Sequence, residues 1–308
     1  MHVFHDLKEF SSRTGATSVA IGNFDGVHVG HQALIKSMLQ RARDQKLTPT
    51  VLTFYPHPVE VLKPTTKLER LTTTSEKLNL LESVGVEQVL VAHFNPELSQ
   101  LTPEEFFKSY LSEGLKAQSI HVGFNFCFGK DRTGNTETLR RLCEMRHIYL
   151  KVEDQVNANG ERVSSSVVRQ SLADGNVKRA SVLLGRPFSI TGQVVRGDQR
   201  GRTLGFPTAN LRCPHDKALP KNGVYLTQVF WQKEALRGVT NVGVRPTFGL
   251  EGNPPVIEVH LLDFDSQIYG EFLTVDFLDR IRDEKKFSGL EELKTQIRTD
   301  VASARRAF

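Results

Sequence analysis

The sequence predicts an α/β domain with a parallel sheet, followed by a small antiparallel β-barrel with a terminal helix. Up to about Leu184, apolar runs rich in β-branched residues alternate with stretches of helical spacing, which is the pattern of parallel βαβ units. After Gly185-Arg186-Pro187, short strand-like runs are separated by Gly, Pro, Asn and Asp, as in small antiparallel barrels. A chain of 308 residues is long enough for two cores. We therefore place one domain at residues 1–185 and a second at 186–308.

The elements of the first domain follow from local residue patterns. Apolar, β-branched runs predict strands, and helical spacing between them predicts helices. One helix start is especially clear, because Thr102-Pro103-Glu104-Glu105 supplies a capping threonine, a proline at the first position and a glutamate at the third. The predicted strands cover residues 18–23, 50–54, 88–92, 119–122 and 148–152, and the predicted helices cover 32–44, 74–84, 103–112 and 136–146.

The second domain begins with strands and ends with a helix. The last stretch of the chain has apolar residues on one helical face, which predicts a helix packed on the barrel. We favour that packing over a role in binding a partner. The strand-like runs cover residues 188–195, 223–231, 257–262 and 272–277, and the apolar face of the last helix consists of Leu290, Leu293, Ile297 and Val301.

The composition is that of a soluble globular protein. Hydrophobic residues make up 39% and charged residues 24%. With no long apolar run and no signal peptide, we expect a cytoplasmic protein that does not bind a membrane. The three cysteines, Cys127, Cys143 and Cys213, are too dispersed for a disulfide framework or a C-x-x-C metal site. The net charge of +5 suits anionic partners, but it does not distinguish nucleotides from nucleic acid.

A glycine-rich stretch, GNFDGVHVGH at residues 22–31, lies between a predicted strand and a predicted helix. His28 and His31 should lie side by side at the first helical turn. The free N–H groups and the positive dipole end of that turn bind anions, and two imidazoles add to the site. The three glycines allow close backbone approach and positive φ around a ligand. We predict phosphate binding by Gly22, Asn23, Phe24, Asp25, Gly26, His28, Gly30 and His31.

The histidine pair also has to be compared with a solvated surface loop and with a zinc site. An isolated H-x-x-H is usually a surface loop with two solvated histidines, but three glycines and an aspartate within ten residues favour a binding site here. A zinc site would need a third and a fourth ligand at metal-finger spacing, and the sequence does not supply them.

Three further segments of the first domain have the composition of functional sites. Tyr55-Pro56-His57-Pro58 follows the second predicted strand, at the carboxyl end where open α/β sheets bind ligands. The string VSSSVVR at residues 163–169 places serines and an arginine at a helix start, which by itself is a common structural feature. The string GFNFCFGK at 123–130 is not a P-loop, because five residues separate its glycines and Asp131 follows the lysine.

The second domain has its own glycine-dense segment. GQVVRG at residues 192–197 leads into GRTLGFPTAN at 201–210, and such loops can also be simple turns. This one ends in Thr208 and Asn210, two hard oxygen donors that can share Mg²⁺ with phosphates.

Glu258 lies on an alternating strand beside Ile257 and Val259. A carboxylate there can accept the proton of an attacking hydroxyl. On the pattern alone we favour a solvent-facing glutamate, which is the usual environment of this residue.

The motifs of the first domain resemble those of the nucleotidyltransferase superfamily, which also contains the class I aminoacyl-tRNA synthetases. There the H-x-G-H histidines contact the ATP phosphates and stabilise the departing pyrophosphate, and an I-S-S-T-x-I-R element holds the triphosphate. The resemblance implies a Rossmann-like nucleotidyltransferase domain with Ser164, Ser165, Ser166 and Arg169 at the phosphates. GFNFCFG resembles the G-x-[D/N]-F-x-F-G segment of bacterial FAD synthetases, which implies flavin-nucleotide binding by Pro56, His57, Pro58 and Asn125.

The segment 201–210 resembles the riboflavin kinase signature almost residue for residue. The resemblance implies that Thr208 and Asn210 bind Mg²⁺–ATP, and it reverses our preference for Glu258, which becomes the catalytic base. Residues 222–225, 241–248, 257–260, 269–271, 281–284 and 287 match the family in order. Contacts with ATP or flavin are implied for Gly197, Gly201, Arg202, Gly205, Pro207, Thr208, Asn210, Tyr225 and Arg282.

The resemblance covers nearly the whole chain, which is identified as a member of the bacterial FAD synthetase family. It implies phosphorylation of riboflavin to FMN by ATP in the barrel, then adenylylation of FMN to FAD with release of pyrophosphate in the first domain. Both steps are in-line displacements at phosphorus without a covalent enzyme intermediate. The implied cofactor is Mg²⁺ and the implied partners are small molecules, with flavin-accepting apoproteins as further candidates and no nucleic acid.

Two other function classes stay open at this point. A compact relative of tRNA synthetases would fit the H-x-G-H motif and the positive charge, but the sequence has no K-M-S-K-S-like loop and no basic, aromatic-rich stripe. A non-catalytic flavin-sensing barrel is disfavoured by the intact Thr208, Asn210 and Glu258. Riboflavin-dependent release of ADP from ATP separates the sensor from the kinase.

Overall fold

The computed structural model describes residues 1–197, 201, 204–244 and 255–308. They form two units, Met1–Ser165 and Ser166–Phe308. The second unit therefore includes two helices that the sequence assigns to the first domain. One of them buries Val177, Ala180, Leu183 and Leu184 and packs on two barrel strands. As a boundary between functions, residue 185 stays a prediction.

The first unit is built on a parallel sheet of six strands, in the order β1-β4-β3-β2-β5-β6. The five predicted strands are confirmed. The edge strand β1 was missed because three residues are too few for a recognisable strand pattern. The strands are β1 (His2–Phe4), β2 (Thr17–Ile21), β3 (Thr48–Tyr55), β4 (Gln88–His93), β5 (Ala117–Gly123) and β6 (Tyr149–Glu153).

Helices cover both faces of this sheet. Phe10, Phe106 and Leu139 belong to the buried cluster on one face, and Ile35 and Leu81 belong to that on the other. The helices are α1 (Leu7–Arg13), α2 (Val29–Gln45), α3 (Pro58–Leu62), α4 (Thr74–Ser83), α5 (Pro96–Ser99), α6 (Pro103–Phe106) and α7 (Thr136–Met145). A π-helix (Phe107–Gly114), a 3₁₀ turn (Lys130–Arg132) and the hairpin strands β7 (Asn157–Ala158) and β8 (Glu161–Arg162) complete the unit.

The helix start at Pro103 is confirmed. Thr102 caps α6, and the Glu105 carboxylate accepts the Thr102 N–H in return. The predicted helix over 103–112 is regular only to Phe106, because its continuation from Phe107 is a π-helix.

The strand order places a ligand-binding crevice at a definite edge of the sheet. From β2 the chain winds to one side through β3 and β4, and to the other through β5 and β6. The order reverses between β2 and β5, and ligands of open α/β sheets bind at the carboxyl ends of the strands next to such a reversal. The loops after β2, β3 and β5 meet there.

The second unit contains a closed antiparallel barrel, in the order β10-β13-β12-β11-β14-β9. The four predicted strands are confirmed. The strand β12 was missed because its hairpin turn, Gln232-Lys233, lacks the Gly, Asn or Asp that usually marks such a turn. The strands are β9 (Phe188–Val195), β10 (Ala209–Arg212), β11 (Gly223–Trp231), β12 (Glu234–Val244), β13 (Pro255–Leu261) and β14 (Phe272–Arg282).

In the described part of the barrel unit, the helices are α8 (Ser165–Ala173), α9 (Val177–Leu184) and α10 (Leu290–Ala307). The predicted packing of the last helix is confirmed, since Ala304 and Val301 join a cluster with barrel residues. Leu290 is an exception to the predicted face, because it is 67% exposed at the start of α10. Among the described residues, no helix combines the length and the apolar character needed to cross a membrane.

Candidate active sites

The two histidines of the H-x-G-H motif lie side by side at the start of α2, as predicted. His28 is the N-cap, and its Nδ1 accepts the backbone N–H of His31 at 3.2 Å. The two rings are stacked, with 3.6 Å between their centroids and 12° between their planes. The pair sits at the carboxyl end of β2, on the edge that the strand order marks as the ligand crevice.

Gly30 packs closely against the His28 ring. A Cβ built on Gly30 would lie 3.2 Å from both Nδ1 and Cε1 of that ring. The predicted positive φ occurs at Gly26 and not at Gly22 or Gly30, whereas Phe24 and Val27 also have positive φ. The loop thus turns the buried Phe24 inward, where its ring meets His31 edge-on at 5.1 Å.

His31 is kept neutral at physiological pH. Burial, with the positive charges of His28 and Lys77 in addition, lowers its pKa well below the usual value. Its Nδ1 is buried and has no hydrogen-bond partner among the described residues. A neutral ring protonated at this nitrogen can donate to an anionic oxygen. The histidine pair can therefore donate hydrogen bonds to a polyanion while the His31 ring stays neutral.

Asp25 anchors the loop. Its carboxylate accepts the N–H groups of Leu71 and Thr72 at 3.2 and 3.1 Å, and the Thr72 hydroxyl accepts the Gly26 N–H. The Ser165 hydroxyl donates to the Asp25 carbonyl at 2.9 Å, across 140 residues of sequence. The structure thus brings the first serine of α8 to the H-x-G-H loop, as the paired motifs predict. A direct contact of Asp25 with ATP stays a prediction.

Lys77 is a residue that the sequence analysis missed. It lies on α4, and its Nζ is 3.2 Å from the Asn23 carbonyl and 3.2 Å from the Thr53 hydroxyl. A single lysine on an amphipathic helix gives no local sign of such a contact.

The predicted flavin-nucleotide residues lie in the loops after β3 and β5. His57 caps α3, since its Nδ1 accepts the Val59 N–H at 3.2 Å and Glu60 accepts the His57 N–H at 3.0 Å.

Asn125 is exposed in the turn after β5. Next to it, Phe124 is 40% exposed beneath the Arg162 guanidinium. Flavin contacts by Pro56, His57, Pro58 and Asn125 stay predictions, as do phosphate contacts by Ser164, Ser165, Ser166 and Arg169.

In the barrel unit, the predicted Mg²⁺–ATP residues line a cavity of about 320 Å³. One wall is formed by Gly197, Pro207, Thr208 and Asn210, and another by the segment 264–269.

Two glycines allow close packing around the predicted oxygen donors. Asn210 is buried, and its amide lies so close to Gly197 that a Cβ on Gly197 would overlap it. A Cβ on Gly201 would lie 3.3 Å from the Thr208 hydroxyl. The two glycines therefore leave room for the oxygen donors at the cavity.

Glu258 lies in register with two asparagines. On β13 it stands directly opposite Asn210 of β10 and Asn241 of β12, so the three side chains share one face of the sheet. Glu258 does not line the cavity formed by the described residues. His260, two positions further along β13, donates from Nδ1 to the Pro207 carbonyl at 2.8 Å. It holds the P-T-A-N segment against the same strand, a contact that the sequence pattern did not indicate.

Comparisons with known proteins agree with this geometry. The family model of FAD synthetase matches residues 11–167, and that of riboflavin kinase matches residues 184–308. A bifunctional riboflavin kinase/FMN adenylyltransferase of Bacillus subtilis is 37% identical, with 100% of this chain and 98% of that protein covered. The enzyme of the same description from Escherichia coli K12 is 39% identical, with 94% and 92% covered. The chain belongs to the FAD synthetase family.

Membership of this family confirms the enzyme class predicted from the sequence, a riboflavin kinase and FMN adenylyltransferase in one chain. A crystal structure from Streptococcus pneumoniae, described as a macrolide-efflux protein, is 34% identical and superimposes with a TM-score of 0.89 over 99% of both chains. This likeness confirms the predicted fold class, a Rossmann-like domain followed by an antiparallel barrel.

Two residues for which the riboflavin kinase resemblance implies contacts with ATP or flavin also have protein partners within the barrel unit. Tyr225 is fully buried edge-on to Phe277, and its hydroxyl bonds the Lys221 carbonyl and Arg280. Arg282 forms a two-pronged ion pair with Asp300 of α10, at 2.7 and 3.0 Å. Neither lines the cavity.

Contacts of Tyr225 and Arg282 with ATP or flavin therefore stay predictions. Arg202 lies outside the described residues, and Gly205 occupies a left-handed turn with φ of 84°. Within the described part of the chain, no cluster of three or more His, Cys, Asp or Glu side chains is arranged to hold a metal.

Proposed function

We propose that the two reactions of the family are divided between the two units, with adenylyl transfer at the stacked histidines and riboflavin phosphorylation at the barrel cavity. The observation that carries the first assignment is the 3.6 Å stack of His28 and His31 at the N-terminus of α2, with the Nδ1 of His31 buried and unpartnered among the described residues. A polyanionic substrate would supply the acceptor that this nitrogen lacks.

In adenylyl transfer, a phosphate oxygen of FMN attacks the α-phosphorus of ATP and pyrophosphate leaves. Negative charge builds on the leaving group, so hydrogen bonds aimed at it are strongest in the transition state. The α2 N-terminus and the His31 ring are the donors, and His28 fixes the orientation of His31 through the stack and the cap. Placing these groups is the main contribution expected of the protein, because the displacement needs no covalent partner.

In the kinase reaction, the 5′-hydroxyl of riboflavin attacks the γ-phosphorus of ATP. Glu258 would orient this hydroxyl and accept its proton late in the reaction. Thr208 and Asn210 fit Mg²⁺, since both are hard oxygen donors at one cavity wall, where Gly197 and Gly201 allow their side chains to pack close to the backbone. The bound ion would screen the charge on the ATP phosphates.

The remaining properties follow from this assignment. We propose that the enzyme uses Mg²⁺–ATP in the cytoplasm, without nucleic acid or a membrane as a partner, and that its products pass to flavin-accepting apoproteins. The positive net charge of the chain matches its anionic substrates.

The test is to incubate the purified protein with riboflavin, ATP and Mg²⁺ and to separate the flavins by chromatography. FMN, FAD, ADP and pyrophosphate should all appear. Omitting Mg²⁺ should stop both steps, and a filter-binding assay should detect no retention of tRNA. Formation of neither FMN nor FAD by folded protein would contradict the proposal.

A further inference from the structure

Lys77 of α4 has a partly buried ammonium group next to the H-x-G-H loop. Its ammonium contacts two uncharged oxygens, the Asn23 carbonyl and the Thr53 hydroxyl, each at 3.2 Å. Among the described residues it has no carboxylate at ion-pair distance. An ammonium has three donors, so one N–H remains available.

The surroundings of Lys77 favour an incoming anion. Burial lowers the pKa of Lys77 to about 8, and the charge of Arg70 also lowers it, whereas Asp25 and Glu60 raise it. The charge of Lys77 in turn lowers the pKa of His31. A desolvated cation that lacks a close counter-charge is costly to the fold. Such a cost is tolerated where a ligand supplies the missing charge.

The position of Lys77 identifies that ligand. Asn23, whose carbonyl it contacts, lies in the loop that leads to His28 and His31. Thr53 lies on β3, the strand next to β2, and its hydroxyl also donates to the Asn23 carbonyl. Lys77 is thus tied to the phosphate-binding loop from the β3 side, within electrostatic reach of the histidine pair.

We propose that Lys77 binds a phosphate group of ATP during adenylyl transfer, and the corresponding pyrophosphate in the reverse reaction. The inference rests on the proposed function of the first unit. The ammonium, the stacked imidazoles and the α2 N-terminus together would form a site for the triphosphate, in which Lys77 provides a positive charge at neutral pH.

A purely structural role for Lys77 is the alternative, because its two hydrogen bonds also fix the Asn23 carbonyl. Two substitutions separate these roles. Lys77→Gln keeps a donor for Asn23 but removes the charge, whereas Lys77→Met removes both. Lys36→Met is the matched control, since Lys36 is an exposed lysine on α2 of the same unit.

The assay is adenylyl transfer in both directions with the full-length protein, from FMN and ATP and from FAD and pyrophosphate. Pyrophosphate is a substrate of this site alone, so the kinase site does not contribute. Both Lys77 variants should raise the KM for pyrophosphate and for ATP by about 10- to 100-fold, the effect of losing one hydrogen bond to a charged group. The KM for FMN, the kinase reaction and the Lys36→Met variant should be unaffected.

The pH dependence supplies a second readout. A bound phosphate stabilises the charged ammonium, so the wild-type KM for pyrophosphate should rise as the pH passes from 7 through about 8 to 9.5, where free Lys77 loses its proton. The two Lys77 variants should lack this rise. Because His31 titrates well below this range, it does not contribute to the change.

Either of two results would overturn the inference. The first is an unchanged KM for pyrophosphate in both variants, and the second is full recovery by Lys77→Gln of the loss seen in Lys77→Met. Thermal unfolding and kinase activity check the fold, and Lys77→Gln carries the test if Lys77→Met unfolds. A wild-type enzyme that forms FMN but no FAD would overturn the proposed adenylyl site as well, so the two failures are distinguishable.

Discussion

Replacing Gly30 by alanine should damage adenylyl transfer without destabilising the protein. The new Cβ would lie 3.2 Å from Nδ1 and Cε1 of the His28 ring, so the ring must shift by a few tenths of an ångström. That shift weakens the cap bond from the His31 N–H to His28, which is already 3.2 Å long, and disturbs the stack that orients His31.

Two terms of similar size decide the stability of this variant. Loss of a helix cap costs about 1 kcal/mol, whereas alanine in place of glycine in a helix gains about 1 kcal/mol. The terms nearly cancel, so the thermal midpoint should hardly move. The rate has no such compensation, because one well-placed donor contributes about 10²–10³ in kcat. A partial loss of its alignment should therefore lower kcat at least about tenfold.

The assay follows FAD formation from FMN and ATP, with riboflavin phosphorylation by the same sample as the internal reference. Gly15→Ala is the matched control, since a Cβ at Gly15 would meet nothing within 4 Å. An unchanged kcat for adenylyl transfer in Gly30→Ala would refute the reasoning, because it would show that the position of His28 does not control the reaction.

Three further predictions concern the kinase site and the two cores. Glu258→Gln should greatly lower the kinase kcat with little change in the KM for riboflavin, while supplied FMN is still converted to FAD; retained kinase activity would exclude the carboxylate as the base. Asp300→Ala leaves the half-buried Arg282 without its partner, so it should destabilise the barrel unit by about 2 kcal/mol in urea unfolding. The control is Asp279→Ala, which breaks an exposed ion pair. If Asp300→Ala destabilises no more than this control, the Arg282–Asp300 pair does not stabilise the barrel unit as proposed. Burial lowers the pKa of His121 to about 4 from its usual 6.5, so protonation of this side chain favours the unfolded state. The free energy of unfolding should therefore be unaffected by His121 above pH 6.5 and should fall by about 3 kcal/mol between pH 6.5 and pH 4. The His121→Gln variant should show a correspondingly flatter pH profile, and identical profiles would contradict this origin.

The features that were predictable from the sequence are local ones. The strands were recognised because runs of apolar residues are typical of buried strands. The neighbouring positions of the two histidines were predicted from their spacing of three residues at a helix start, and the structure shows the rings stacked. The cap at Thr102 was equally local, since all of its partners lie within three residues.

The side-chain contacts that were missed join distant residues. Lys77 and Asn23 are 54 residues apart, and His260 and Pro207 are 53 apart. Neither contact is associated with a periodic pattern or a motif in the sequence, so it is visible only in the folded structure. The partner of Arg282 is 18 residues away, because Asp300 lies on a helix of which only the apolar face was visible in the sequence.

The charge state of the histidines is a further property that composition did not reveal. Two imidazoles at a helix N-terminus point to an anion site, but the sequence does not tell how deeply they are buried. In the structure, burial and the neighbouring charges of His28 and Lys77 hold His31 neutral. We therefore expect the site to bind anions through oriented donors and the nearby lysine more than through charged histidines.

The central claim is that the two reactions occur at separate sites in the two units, and product analysis of His31→Ala tests it most directly. With riboflavin, ATP and Mg²⁺, this variant should accumulate FMN at the wild-type rate. Its FAD formation should fall by at least about 100-fold, roughly 3 kcal/mol of transition-state stabilisation. Wild-type FAD formation by His31→Ala, or loss of both products by folded protein, would contradict the assignment.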